Sequence, residues 1–279
     1  MEVLSSVIEQ YQSIIRLSVF GLCLMSLSLI EHLIPARQSG KNNPRHFVEN
    51  ISLTGLTSLA LQIAPVVLAA NIALLNESWQ IGIFYLISDN NNQLAIIVIV
   101  SVIILDFIIY WQHRVFHRVP LLWKLHRVHH SDPSLNASSA LRFHPFELLL
   151  STLIKSTVVL VFGIPFAAIV IFEIALNAFA LFNHSNIRFT PRTENVLRKI
   201  LITPSIHRVH HSIHHADHDQ NFGFSVVFWD RLFGTYKSES SLGRHYSIGS
   251  NEMTNENSKG FYRLLKQPFI PTKSLQKTQ

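Results

Sequence analysis

Two stretches of this chain are almost free of charge over lengths that few water-soluble folds tolerate. Ile51 to Leu75 carries none, and Leu94 to Trp111 carries only Asp106. A helix needs about 20 apolar residues to cross about 30 Å of hydrocarbon. Leu17 to Leu33 approaches that length, bordered by Arg16 and closed by Glu31 and His32, and Leu148 to Phe182 exceeds it. The last run holds Lys155 and Glu173, and Gly163 with Pro165 breaks it near its middle, which reads as a helical hairpin. Charged residues are only 14% of the chain, against about 25% in an average soluble protein. An ordinary soluble enzyme is therefore disfavoured, and the bilayer is the first solvent to consider. Ile81 to Ile87 is too short to span and reads as an interfacial turn. The single cysteine, Cys23, excludes a disulfide framework and a four-cysteine zinc module.

Short loops give the orientation, because cytoplasmic ones collect Lys and Arg. The loop after the first apolar run holds Arg37, Lys41 and Arg45, whereas Asn76 to Gln93 holds only Glu77 and Asp89. The first loop is expected inside and the second outside. The third span then returns to the cytoplasm before His113, where Arg114, Arg118, Lys124 and Arg127 agree, and the hairpin goes out and back. No basic leader precedes the first apolar stretch, so no cleavable signal peptide is expected. The net charge of +6 comes from residues 184 to 279, with thirteen Lys/Arg against seven Asp/Glu, while 1 to 183 hold ten of each. A basic segment beside apolar spans suits anionic headgroups, and no zinc finger or basic-region heptad argues for nucleic acid.

Histidine is the second anomaly: sixteen, more than the ten glycines, and mostly clustered. If the third span stays helical, Asp106, Tyr110, His113 and His117 share one face, and two imidazoles one turn apart can grip one ion. Asp106 is then placed to accept the outer ring N–H of a ligand, or else to pair with a nearby Arg. The pentapeptide His-Arg-Val-His-His occurs twice, giving His126, His129 and His130, then His207, His210 and His211. Spacings of three and four residues project to one side of a helix. Arginines at 114, 118, 127 and 208 would disfavour ring protonation and so keep the rings in the neutral form that metal binding requires, or would equally snorkel to lipid phosphates. One tetrahedral zinc takes four ligands, so this many histidines suits two ions. Imidazole accepts iron, zinc, copper or nickel alike. The expected fold is all-α: an integral membrane helical bundle with a cytosolic histidine-rich helical cap holding a dinuclear metal site. Its parts are transmembrane helices over 1–111, a first cytosolic histidine region over 112–147, a membrane hairpin over 148–183, a second histidine region over 184–237 and a polar, mobile tail over 238–279.

His-Arg-x-x-His, His-x-x-His-His, a later histidine and a second His-x-x-His-His together resemble the fatty acid hydroxylase and sterol desaturase superfamily of membrane di-iron oxygenases. The resemblance runs from about Asp106 through Tyr236. It takes in Leu122-Trp123-Lys124-Leu125-His126, Arg142-Phe143-His144-Pro145-Phe146-Glu147, Phe182-Asn183-His184-Ser185-Asn186, Thr203-Pro204, Asn221-Phe222-Gly223 and Trp229 through Tyr236. It implies the ligands His113, His117, His126, His129, His130, His184, His207, His210 and His211. Lipid hydroxylases of this superfamily can carry another histidine four positions before the one matching His184. Here that position is Ala180, which leaves the set one short. A water held by Asn183, or one of His214, His215 and His218, is available to fill the gap, with a solvated loop the favoured reading of His214 and His215. His144 either orients a ligand or lines the lipid entrance, or simply starts a helix at the interface. Asn221 and Gly223 read as turn chemistry, and Trp229 to Tyr236 as a turn of the cap.

The resemblance implies two iron ions, with zinc able to replace them on overexpression. It also implies dioxygen as co-substrate, a membrane lipid as substrate and hydroxylation or desaturation of a C–H bond as the reaction. Electrons must come from an outside donor, since the chain shows no haem, ferredoxin or dinucleotide motif, and a redox partner is expected on the basic cytosolic face. Fatty acyl chains, sterols, alkylglycerol ethers and carotenoids all fit the superfamily, and the Leu122 to Ser131 context is similar to its alkylglycerol monooxygenase branch. Two other classes remain open: a zinc-dependent membrane hydrolase, though His-Glu-x-x-His is absent, and a histidine-rich metal transporter or sensor, whose ligands should lie at bilayer depth.

Overall fold

The computed structural model describes residues 2–38, 43–63, 65–87, 93–243, 246–254 and 256–271. Among them the regular structure is helical, with isolated bridges and no strand. In chain order the helices are α1 (Glu2–Leu33), α2 (Pro44–Ile63), α3 (Ala69–Trp79), α4 (Ile83–Ile87), α5 (Leu94–Arg118), α6 (Pro120–His130), α7 (Pro145–Phe162), α8 (Phe166–His184), α9 (Pro191–Leu197), α10 (Pro204–His210), α11 (His215–His218), α12 (Phe228–Leu232) and α13 (Phe261–Lys266). Four are long and apolar enough to cross a membrane: Gln10–Leu33 within α1, then α5, α7 and α8. Helix is the one open-ended way to satisfy backbone N–H and C=O groups in hydrocarbon. Their outward faces are apolar, with Leu17 at 72% and Ile96 at 63% exposure.

The apolar run 51–75 is not one span. Pro65 lacks the N–H that would continue the α2 ladder and opens a 3₁₀ turn, so the run divides between α2 and α3. The broken pair still traverses the bundle beside α7: Thr54 donates to the Leu141 carbonyl at one end, and Asn76 Nδ2 to that of Val159 at the other. The hairpin forms as the sequence suggests. Gly163 ends α7 at φ +70°, and Pro165 caps α8. A Cβ on Gly163 would stand 2.7 Å from the Tyr85 ring, and one on Gly82 only 2.2 Å from the Gly163 nitrogen. The segment 81–87 thus packs under the turn through two glycines in close approach.

Three charges inside the apolar band are paired with one another. Arg16 and Lys155 both bind the Glu173 carboxylate, tying α1, α7 and α8 together. A lone charge at bilayer depth costs about 2.5–3.5 kcal/mol on insertion scales, which the triad offsets. Near the other end of α1, Glu31 accepts from the backbone N–H of Ala137 at 3.0 Å and Asn186 at 2.9 Å. The ends of α1, α5 and α8 and the start of α7 therefore meet one cap built from α6, the 3₁₀ turn Ala137–Leu141, α9 to α12 and α13. The tail is held there too: Arg127 donates to the carbonyls of Gln267 and Ile270, Arg142 to that of Ser258, and Leu264 is buried against Leu53 and Val128. The described parts of the tail up to Pro271 are thus tied to the cap, because buried arginines need those carbonyls; 244–245, 255, 272–279, Lys41 and Asp89 lie outside the described residues.

Candidate metal centre

Four helix ends deliver the histidines. The last two turns of α5 present His113 and His117. Pro120 fixes the first turn of α6, which carries His126, His129 and His130. α8 ends on His184. Thr203 caps α10, whose short run brings His207 and His210 to the centre, with His211 just beyond. Two groups result, His113, His117, His126, His130 and His210 in one and His129, His184, His207 and His211 in the other, with the ligating nitrogens of each within 4.8 Å of one another. They are contiguous, since the rings of His130 and His211 stack at 4.4 Å. Eight of the nine residues are buried, and the ring of the ninth, His117, is wholly covered.

Hydrogen bonds behind the rings fix their tautomers. The Nδ1 of His113, His184 and His210 each faces a backbone carbonyl, of Phe222 at 2.8 Å, Ala180 at 2.7 Å and Gln220 at 2.7 Å. A carbonyl only accepts, so Nδ1 carries the proton and Nε2 keeps a lone pair directed inward. His126 Nδ1 lies 2.6 Å from the Glu147 carboxylate, with the same consequence. In the smaller group, Nε2 of His184 sits 2.9 Å from that of His129 and 3.0 Å from that of His207, and His207 lies 3.2 Å from His211. Nitrogens about 2.0–2.1 Å from a shared ion stand about 3 Å apart when adjacent, so this spacing fits a metal. In the larger group the Nε2 atoms of His113, His117, His126, His130 and His210 are buried without a hydrogen-bond partner. Buried nitrogens with no partner are costly unless something else takes the lone pair.

The rings are held neutral. Burial first, then the neighbouring imidazoles, push the pKa values of His129, His130, His207, His210 and His211 well below the ordinary histidine range. Burial alone takes His126 to about 3. The adjacent arginines are not the cause, contrary to the sequence argument. Arg127 points away to Glu252 and the tail, and Arg208 away to another cavity.

The outlying candidates have distinct places. Asp106 touches no histidine: it accepts from the Trp229 indole at 2.7 Å, so a carboxylate in α5 pins the cap's aromatic turn. The acceptor expected of it is Glu147 instead, which no helical spacing from a histidine could reveal. His144 caps α7, accepting from Phe146 N at 3.2 Å, and lies 3.2 Å from the Leu265 carbonyl; this is the helix-start role. Asn183 donates to the Phe224 carbonyl at 2.9 Å, and its Oδ1 is buried without a partner. His218 packs 4.8 Å from both His117 and His130 and makes a further group with His117 and Asp219. Burial, with His215 and His126 adding to it, lowers its pKa to about 3. His215 is exposed and His214 partly so, clear of both groups.

Sequence reasoning missed the support behind His113. Asp230 accepts from the N–H of Phe222 and of Gly223, each at 2.8 Å, and from the Thr235 hydroxyl at 2.7 Å. Burial raises its pKa to about 6. A Cβ at Gly223 would fall 2.8 Å from that carboxylate, so the loop requires glycine there. The Asn221-Phe222-Gly223 and Trp229 to Tyr236 motifs thus serve one purpose, which is to aim the Phe222 carbonyl at a histidine.

Beside the larger group lies a cavity of about 330 Å³, lined by His113, His126 and Glu147 at one end and by Phe20, Phe116 and Ala180 among its apolar walls. Gln112, Ser151 and Asn177 supply its polar lining.

Apolar helical spans topped by nine clustered imidazoles beside an apolar cavity define a class of membrane-embedded protein with a histidine cage able to hold metal. Residues 98–235 match the fatty acid hydroxylase family. The chain is 28% identical over 245 residues to an ornithine lipid hydroxylase of Rhizobium tropici, covering 87% of this chain and 72% of that protein. It is 33% identical over 140 residues to the human alkylglycerol monooxygenase, covering 48% of this chain and 29% of that one. Against the human lathosterol oxidase it is 28% identical over 153 residues, 54% of this chain and 48% of the relative. No solved structure matches the chain.

Proposed function

We propose that this chain is an O2-dependent oxidoreductase that hydroxylates or desaturates a C–H bond of a membrane lipid, each histidine group holding one iron ion. The observation that carries this reading is the apolar cavity reaching His113 and His126 among the spans. The relatives act, by name, on an ornithine lipid, an alkylglycerol and lathosterol, all lipids. Bound iron would supply the activation of dioxygen and the removal of hydrogen from an unactivated carbon.

The chain's own residues do the rest. His113, His117, His126, His130 and His210 would hold one ion, and His129, His184, His207 and His211 the other. Neutral imidazoles add no negative charge beside the acyl phase. Glu147 and the carbonyls of Phe222, Gln220 and Ala180 keep four rings turned inward. Phe143, stacked on His129 at 4.3 Å, and Phe116 help exclude water where the lipid would lie. A water held by Asn183, whose Oδ1 is buried without a partner, is the available group to complete the smaller set where Ala180 leaves it short, whereas His218 stands beside His117 and His130 of the larger set. Arg37, Arg45, Arg114, Arg118 and Lys124 lie at the cap end, which supports a cytoplasmic cap by the positive-inside rule. A redox partner would dock on that basic face.

The test is metal analysis of anaerobically purified protein, joined to oxygen uptake with lipid and reductant. Two irons per chain and lipid-dependent uptake are expected; reconstituted two-iron protein that consumes no oxygen with any lipid class would refute the reading. Comparing lipids of cells carrying the intact gene and His129→Ala then identifies the substrate, which should accumulate in the variant.

A further inference from the structure

The pentapeptide repeat places an arginine at the same point of both boxes, yet the two side chains fare differently. Arg127 is engaged at both terminal nitrogens, with Glu252 Oε2 at 3.4 Å, the Ile270 carbonyl at 2.7 Å and the Gln267 carbonyl as acceptors, and only its Nε is buried without a partner. Arg208 is 8% exposed, and its Nε and Nη2 are buried with no hydrogen-bond partner. These two donors lie on one edge of the planar guanidinium, the edge that grips two oxygens of a phosphate or carboxylate at once. A buried cation with its fork unfilled is costly unless an anion completes it.

Arg208 is one of the residues lining a cavity of about 1170 Å³, together with Arg37 and Arg198. Arg198 donates through Nη2 to the Ser238 carbonyl, but its Nε is again buried and unpartnered. Arg37 is fixed over the Tyr246 ring, 4.8 Å from the centroid, and donates to the Tyr246 carbonyl. Two carboxylates share the lining, yet Glu194 Oε1 is occupied by the hydroxyls of Thr203 and Ser205, and Glu239 is exposed. Three arginines therefore line a space in which no carboxylate bonds to Arg208.

Location decides the source of the anion. Arg37 stands just past the end of α1, where Ala36 N donates to the Asn186 carbonyl just past the end of α8. Two spans leave the apolar band at this point. Leu33 and Ile34 are exposed beside it at 67% and 42%, as are Val196 and Ile200 along and after α9 at 60% and 66%. An anion free in water has no use for such a rim, whereas a lipid phosphate carries acyl chains that would lie against it.

We propose that Arg208, with Arg37 and Arg198, binds the phosphate of an anionic phospholipid at the membrane surface, separately from the cavity beside the histidines. The ligand would brace α10 from the side opposite its histidines. A choline headgroup would add a cation to a pocket that already holds three, so the preference should be for a net negative lipid.

The test is native mass spectrometry of the delipidated full chain in uncharged detergent, offered phosphatidylglycerol, phosphatidylcholine or inorganic phosphate. Retention of phosphatidylglycerol about tenfold above phosphatidylcholine is expected. Arg208→Gln should remove that preference, Arg208→Lys should keep part of it, having charge without the fork, and the exposed Lys124→Gln should leave it intact. Unchanged metal content and circular dichroism show that the variants are folded. Equal retention of the two lipids by the unaltered protein refutes the proposal without any variant. So does full retention in a folded Arg208→Gln. Displacement by equimolar inorganic phosphate would assign the site to free phosphate instead, and loss of binding to an acidic redox protein with no lipid preference would assign it to that partner; either overturns the lipid.

Discussion

Glu147 offers the sharpest test of how the larger histidine group is held. Its carboxylate, 3% exposed, meets His126 Nδ1 at 2.6 Å, which leaves Nε2 of that ring as an inward lone pair. Glu147→Ala removes the acceptor, so His126 is free to place its proton on Nε2 and lose its ligand atom. A buried hydrogen-bonding group left without its partner costs about 1–3 kcal/mol, equivalent to about 5- to 150-fold in affinity. Outer partners of metal-bound histidines typically cost 10- to 100-fold when lost, in the same range. Glu147→Gln keeps an acceptor oxygen and should fall between. Metal content after equilibrium dialysis against graded chelator reads both effects. The group of His129, His184, His207 and His211 does not include His126, so one ion per chain should become labile while the other stays. Folded Glu147→Ala protein that holds both ions as tightly as the unaltered chain would refute the reasoning, and so would equal loss of both.

Three further outcomes follow from the geometry. Ala180→Phe should fill the cavity beside His113, abolishing lipid turnover while metal content stays constant; turnover at the original rate would show that substrate takes another path. Gly163→Ala forces φ +70° on a side chain whose Cβ meets the Tyr85 ring at 2.7 Å, costing at least about 1–2 kcal/mol, read as a lower thermal midpoint in detergent. Asp217 is buried against Lys237 at 2.6 Å; although burial pushes its pKa up, Lys237 and the serines at 240 and 241 hold it well below the usual carboxylate range. The unfolded chain thus takes up a proton first as pH falls below about 4, so this stabilisation is complete above that pH and drains away beneath it. Asp217→Asn should be less stable at pH 6, with the gap narrowing at pH 3.5; a gap independent of pH would contradict the assignment.

Much of this architecture is legible in the sequence because its determinants are local. Apolar run length marks α1, α5, α7 and α8, Gly163 and Pro165 mark the hairpin, and three- and four-residue spacing places histidines on one side of a helix. What escapes is whatever depends on partners distant in the chain. Pro65 shows that an uncharged run need not be a continuous helix. The acceptors behind His113, His184 and His210 are backbone carbonyls, which any residue possesses, so no side-chain pattern announces them. Asp106 looks like a histidine's partner by spacing, and only the return of the chain at Trp229, 123 residues later, decides otherwise. The two identical pentapeptides give their arginines identical local prospects, and the tail's carbonyls reach just one of them.

Neither histidine group draws on a single stretch of chain. One needs rings from His113 through His210, and the other from His129 through His211. During synthesis no ion can be fully enclosed until α10 has emerged from the ribosome and folded back over spans inserted long before. Loading of the proposed metal ions is then among the last events of biogenesis, and a chain cut short before residue 207 would lack His207, His210 and His211 and could complete neither group.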